Sequence, residues 1–249
     1  MTTDVPRLRM FAGPNGSGKT TVKRTLDKPA GWYGTYINPD DLEKTLLETG
    51  ELPVAETGVL FELSELQEYF RDSEFLKLHG LERSAERFRI DNACLSFGTI
   101  QPSSYHTSVL ADFIRRKLLA ERRSFSFETV MSAPDKVELL REAQAQGYRT
   151  FLYYVATEDP AINVERVQYR VAVGGHDVPE EKIISRYVRS LALVREAIRV
   201  ANRAFFFDTS EVTAWYFAEV TDGAEVELKG DEIPNWFRKA VWDLLEANG

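Results

Sequence analysis

Cysteine is all but missing from this sequence: Cys94 is the single one in 249 residues. A lone thiol closes no internal disulfide, which excludes a small, bridge-stapled secreted scaffold and points to a reducing compartment. Histidine is nearly as scarce. His79, His106 and His176 stand far apart, so the chain shows no cluster with zinc-ligand spacing. Positive charge is in deficit too, with 31 Lys and Arg against 39 Asp and Glu and a formal net charge of -8. A surface of that sign repels polyanions, so nucleic acid is not the expected partner. No stretch approaches the ~20 apolar residues that cross a bilayer. The opening residues, with Asp4, Arg7 and Arg9, hold no apolar run of signal-peptide length. The expectation is a cytoplasmic protein with no membrane partner. Repeats, heptads and low-complexity tracts are missing as well.

What is present suffices for a sizeable core. Hydrophobic residues make up 43% of the chain and aromatics 12%, enough for one globular domain over residues 1–249. Strand-like runs at 8–12, 33–37, 125–130, 150–156 and 204–207 alternate with helical segments. That pattern predicts an α/β fold, a parallel sheet of about five strands with helices on both faces, whose ligand sits at the strand C-terminal ends. Three additions are expected on this frame. From 42 to 123 the chain reads as mostly helical and charged, less regular over 92–104 around Gly98 and Pro102, and within it the stretch 52–104 reads as a helical insertion. Helices over 161–173 and 179–203, joined by Gly174-Gly175-His176-Asp177, supply a lid at about 160–190. Residues 214–245 read as a hairpin turning at Asp222-Gly223, then a short helix over 236–245.

The strongest motif follows the first strand. Gly13-Pro14-Asn15-Gly16-Ser17-Gly18-Lys19-Thr20 fulfils G-x-x-x-x-G-K-[ST] between a strand and a helix, the context in which that pattern holds phosphates. Glycines let backbone N–H groups turn inward around a polyphosphate, and the helix N-terminus adds the positive end of its dipole. Lys19 can bridge the terminal phosphates, Thr20 can offer its hydroxyl to Mg2+, and Thr21 closes the run. A plain strand-to-helix turn would leave the lysine and threonine without a reason. There is no N-K-x-D guanine signature and no L-S-G-G-Q run, so the expected nucleotide is ATP.

The candidate acids and bases each have a plainer reading beside the functional one. Asp40 and Asp41 follow Asn38-Pro39, where Asn38 can cap and Pro39 can open a helix, so either acid can simply complement the helix dipole. Their position at the end of the strand expected beside the phosphate-loop strand also suits a base facing the γ-phosphate. Asp40 takes that role, and Asp41 stays with the cap. Glu128 and Thr129, near the end of Phe125-Ser126-Phe127-Glu128-Thr129-Val130, can meet substrate or a Mg2+-bound water; the plainer reading of Glu128 is a solvated strand-end carboxylate. Arg166 and Arg170 share one helix face, and Arg186 and Arg189 repeat the idea on the next helix. A lid arginine can neutralise the charge that spreads over a transferring phosphoryl group. The alternative is a solvated face paired with Glu165, Glu180 and Glu181. Arg170 and Arg186, which flank the Gly-Gly-His loop, are the catalytic candidates, and Arg166 is assigned to substrate. His176 reads as a loop residue bonded to backbone, Cys94 as a packed side chain, and Asp208, at the end of Phe205-Phe206-Phe207-Asp208, as structural or as a neighbour of the base.

Four blocks in order, G-P-N-G-S-G-K-T-T, I-N-P-D-D-L, F-S-F-E-T-V-M-S and R-V-A-V-G-G-H-D-V-P-E-E-K-I-I-S-R-Y, resemble the zeta-toxin family of P-loop kinases over roughly residues 8–208. The resemblance implies phosphoryl transfer from ATP to a sugar hydroxyl of UDP-N-acetylglucosamine or a related nucleotide sugar, a toxin-like activity that starves peptidoglycan synthesis. It implies Lys19 on the phosphates, Asp40 as base, Glu128 toward substrate and lid arginines around the γ-phosphate. A separate antitoxin, or none, goes with it. The Gly-Gly-His-Asp-Val-Pro run departs from the lids of the better-known toxins, which leaves open how Arg166, Arg170 and Arg186 match the family's arginines. The substrate can change with the lid. The alternative reading is an ATP-gated binding module or ATPase with no organic acceptor.

Overall fold

The computed structural model describes residues 5–174 and 177–242. In chain order its elements are β1 (Arg7–Ala12), α1 (Lys19–Thr25), β2 (Thr35–Ile37), α2 (Pro39–Thr49), β3 (Glu51–Pro53), α3 (Leu63–Asp72), α4 (Glu74–Lys77), β4 (Arg89–Asp91), β5 (Cys94–Ser96), α5 (Ser104–Ala120), β6 (Phe125–Thr129), α6 (Asp135–Ala145), β7 (Arg149–Ala156), α7 (Pro160–Ala172), α8 (Glu180–Arg199), β8 (Arg203–Asp208), β9 (Trp215–Thr221), β10 (Glu225–Leu228) and α9 (Asn235–Phe237). The chain gathers into a first unit, residues up to 32 and from 127 on, and a second unit, residues 33–126.

In the first unit the strands lie in the order β10-β9-β8-β7-β1-β6. β1 and β8 flank β7 in parallel, while β9 turns back antiparallel on β8 and β10 on β9. The α/β architecture expected from the alternating pattern is thus the one observed. The sheet exceeds five strands because the C-terminal hairpin joins its edge. Asp222 and Gly223, at φ 46° and 73°, take the left-handed conformations a tight hairpin needs. One sheet face buries Leu152, Tyr154, Phe206 and Ala218 completely, with Phe237 4.9 Å from the Phe206 ring. On the other face Phe11, Tyr153 and Phe205 stack at 4.7 Å spacings, and Arg9 lies 4.0 Å over the Trp32 ring.

Two boundaries differ from the sequence reading. The helix expected to reach residue 203 ends at Arg199, because Asn202 is drawn into the sheet: its N–H donates to Thr150 O (3.1 Å) and its Oδ1 accepts from Thr150 N (2.9 Å). The last helix begins as α9 and continues as a π turn over Arg238–Trp242; residues 243–245 of the expected segment lie outside those described. α8 is fastened to the sheet in its middle. Tyr187 OH donates to Thr157 O (2.6 Å), Ser190 Oγ donates to Val130 O (2.8 Å), and Tyr154 OH lies 2.9 Å from Ser190 Oγ. α7 joins it through a small apolar cluster of Val164, Val167, Val178 and Ile183.

The second unit contains an antiparallel sheet, β3-β5-β4, inside the stretch read as mostly helical. Strands of three residues are too short to show alternation, which corrects that reading. Their core includes Leu95, Phe70, Phe88 and Phe97, the last two stacked at 3.9 Å. α5 sets Arg115, 2% exposed, against Asp112 (2.9 Å), which also accepts from Tyr69 OH (2.5 Å). In its first turn His106 is buried, with Nδ1 2.7 Å from Ser103 Oγ and Nε2 3.0 Å from Ser84 Oγ. Desolvation holds its pKa below the usual 6.5.

Candidate active site

β1 delivers the chain to Gly13, whose N–H bonds Thr129 O at the end of β6 (3.2 Å). From there the loop is pressed between β7 and the first turn of α7. A Cβ on Gly13 would lie 1.9 Å from Val155 O, and one on Gly16 2.6 Å from Asn163 O, both at positive φ, so neither position admits a side chain. Gly18, left-handed, precedes α1 with no side-chain cap, which leaves the first N–H groups of α1 turned to the loop. Lys19 Nζ donates to Gly13 O (2.8 Å) and Pro14 O (2.9 Å), so the loop's own carbonyls hold the ammonium beside it. Ser17 is fully buried and its carbonyl accepts from Thr209 Oγ1 (2.8 Å). Thr21 is exposed on the outer side of α1.

Thr20 Oγ1 donates to Glu128 Oε2 (3.0 Å) across 108 residues of sequence. Glu128 is 9% exposed, so the solvated strand-end reading does not describe it. A hydroxyl and a carboxylate side by side at the foot of a phosphate loop are hard oxygen donors of the kind Mg2+ takes, with phosphate and water filling the rest. Among the described residues no group of three His, Cys, Asp or Glu is placed to hold a metal. Thr129, next along, accepts from Met131 N through Oγ1 (3.0 Å).

Of the arginines, Arg186 of α8 reaches the loop and donates to Asn15 Oδ1 (3.3 Å). Arg170 is half-buried in the last turn of α7. Arg166 turns elsewhere: its guanidinium donates to Thr209 O (2.6 Å), with Glu211 O at 3.4 Å, and clamps the segment after β8. Asp208 accepts from Trp236 Nε1 (2.7 Å) and Ser210 N (2.8 Å), the structural duty expected of it. Asp40 belongs to the second unit, exposed in the first turn of α2, its N–H bonded to the capping Asn38 Oδ1 (3.1 Å). His176 lies outside the described residues. Sequence reasoning missed Asn163, fully buried, whose Nδ2 donates to Asn15 O (2.6 Å). The signal was there: Asn163 shares the apolar face of α7 with Val167, four residues on.

The family profile described as Zeta toxin matches residues 103–217. The zeta-toxin resemblance holds over this segment. The zeta-toxin match takes in Glu128, Asn163 and the three arginines, and leaves out the phosphate loop and Asp40. No curated protein matches the sequence. Among solved structures, the native AvrRxo1-ORF1:-ORF2 complex aligns at a TM-score of 0.57 and 16% identity, over 98% of this chain and 63% of that one. The same complex with ATP aligns at 0.54 and 16% identity, over 90% and 61%. A chain of the PezAT chromosomal toxin-antitoxin system of Streptococcus pneumoniae aligns at 0.51 and 14% identity, over 99% and 80%. The chain thus spans a little over three fifths of the AvrRxo1 chains. At these identities the likeness is one of fold alone.

Proposed function

We propose that the chain is an ATP-dependent kinase acting on an alcohol of a small polar metabolite, a sugar hydroxyl of UDP-N-acetylglucosamine or a related nucleotide sugar. The observation that carries this reading is the phosphate loop, shaped as a backbone cradle, with Lys19 at its mouth and Thr20 bonded to Glu128. Lys19 and the loop amides bind the phosphates. Thr20 and Glu128 would hold Mg2+, whose charge offsets that of the phosphates when it is bound. Asp40 accepts the proton of the attacking hydroxyl as the new O–P bond forms and the bond to ADP breaks, and Arg170 and Arg186 stabilise the charge that spreads in between. The α7–α8 hairpin serves as the lid, and residues 52–104 as an insertion. The ATP in one AvrRxo1 structure and the toxin-antitoxin origin of the PezAT chain support ATP as donor and a separate antitoxin as partner. No described helix is long and apolar enough to cross a membrane, and the cytoplasm is the compartment proposed.

The test is incubation with γ-labelled ATP, Mg2+ and UDP-sugars: label on a sugar supports the kinase, and none on any acceptor of a metabolite extract refutes it. A second reading, an ATPase without organic acceptor, is favoured by one observation: Asp40 is exposed in the first turn of α2, where an acid complements the helix dipole without any catalytic duty. Release of free phosphate alone would decide for it.

A further inference from the structure

Asn15 and Gly16 form the crest of the phosphate loop, and the peptide between them is held from one side. Its carbonyl, Asn15 O, accepts from Asn163 Nδ2 at 2.6 Å. A trans peptide is planar, with its C=O and the following N–H pointing opposite ways. Fixing Asn15 O toward α7 therefore fixes Gly16 N–H away from α7. The approach is close: Gly16 packs against the backbone of Asn163, with a Cβ excluded by Asn163 O at 2.6 Å.

The amide of Asn163 is itself oriented. Its Nδ2 has to face the loop, because Asn15 O can only accept, and its Oδ1 accepts from Thr157 Oγ1 at the other end. Thr157 and Asn163 are both fully buried, and Thr157 Oγ1 also lies 3.2 Å from Asp159 O. The carbonyl of Thr157 accepts from Tyr187 OH (2.6 Å), and the next residue back, Arg186, donates to Asn15 Oδ1 (3.3 Å). A chain of polar contacts thus runs from α8 through Thr157 and Asn163 to a single peptide plane of the loop. Burial makes each member costly to leave unpaired, so the arrangement is an over-determined one.

We propose that Asn163 is a positioning residue for phosphate binding: it sets the Asn15–Gly16 peptide so that the Gly16 amide faces the polyphosphate, and Thr157 anchors the other end of its side-chain amide. The proposal rests on the reading of the loop as an ATP site and adds a residue to it that lies outside the motif. Asn163→Asp is the sharpest probe. It keeps size and the acceptor for Thr157, but it opposes a carboxylate oxygen to Asn15 O and so favours the flipped peptide.

The experiment measures ATP and AMP binding by calorimetry with Mg2+ for the unaltered protein, Asn163→Asp and Thr157→Val, with circular dichroism as the check on folding. The expected result is an ATP affinity lowered at least tenfold in Asn163→Asp, less in Thr157→Val, with AMP affinity changed far less in both. That split separates peptide positioning from general loosening, which would weaken both nucleotides alike. A folded Asn163→Asp protein that binds ATP as the unaltered protein does, or that loses ATP and AMP equally, overturns the proposal. Should Asn163→Asp not fold, Thr157→Val decides by the same criterion. If the unaltered protein binds no ATP, the proposed function fails rather than the role of Asn163 within it.

Discussion

Lys19 is the side chain on which most depends at the scale of single residues. It is bonded to Gly13 O and Pro14 O and stands where a polyphosphate needs a point charge, so Lys19→Ala should weaken ATP by roughly ten- to a hundred-fold and abolish transfer. Calorimetry and a label-transfer assay check the two halves separately. Asp40→Ala should leave ATP binding nearly intact and lower turnover by ~10²- to 10⁴-fold, the usual worth of a general base. Retained turnover would leave Asp40 as a first-turn acid complementing the dipole of α2. Glu128→Gln keeps a partner for Thr20 but removes the charge, and the Mg2+ concentration giving half-maximal turnover should rise by roughly ten- to a hundred-fold. A magnesium titration of turnover reads this directly.

At the scale of elements, the start of α5 carries a pH dependence. Burial lowers the pKa of His106, so in acid the unfolded chain takes up a proton before the folded one does. Its contribution is therefore complete above the usual 6.5 and is lost as pH falls below it. Urea midpoints at pH 7.5 and 5.5 should fall more in the unaltered protein than in His106→Gln; an equal fall would show that the ring is not the cause. Elements also show what a sequence can and cannot convey. The phosphate loop was legible because eight adjacent residues hold its whole chemistry, and β7 because an apolar run of that length has few alternatives. β3, β4 and β5 were not, since three residues carry no period. Asn163 stayed hidden for another reason. A buried amide means little until the helix bearing it is laid against the carbonyl it serves, and residue 15 lies 148 positions away. Arg166 shows the opposite limit, because a basic helix face announces charge but not its target, here the carbonyls that follow β8.

At the scale of the whole molecule, the two units can be observed apart. All four tryptophans, Trp32, Trp215, Trp236 and Trp242, belong to the first unit, which also holds the phosphate loop. Tryptophan fluorescence therefore follows the unit to which ATP is proposed to bind. ATP at about a hundred times its Kd should stabilise that unit by ~2.7 kcal/mol. The measurement is the urea midpoint of the fluorescence change with and without ATP and Mg2+; an unmoved midpoint would contradict binding there.

The fastening of α8 at Tyr187 and Ser190 also sets what this helix can do when the site changes state. Seven residues precede that pivot and twelve follow Tyr187 to the end of the helix, so the part beside Asn15 is the short arm of a lever, about 10 Å long. The longer arm is held as well, with Val194, Ala197 and Ile198 buried and Gly223 against the backbone of Arg199, so whatever happens beside Asn15 meets a helix anchored along its length.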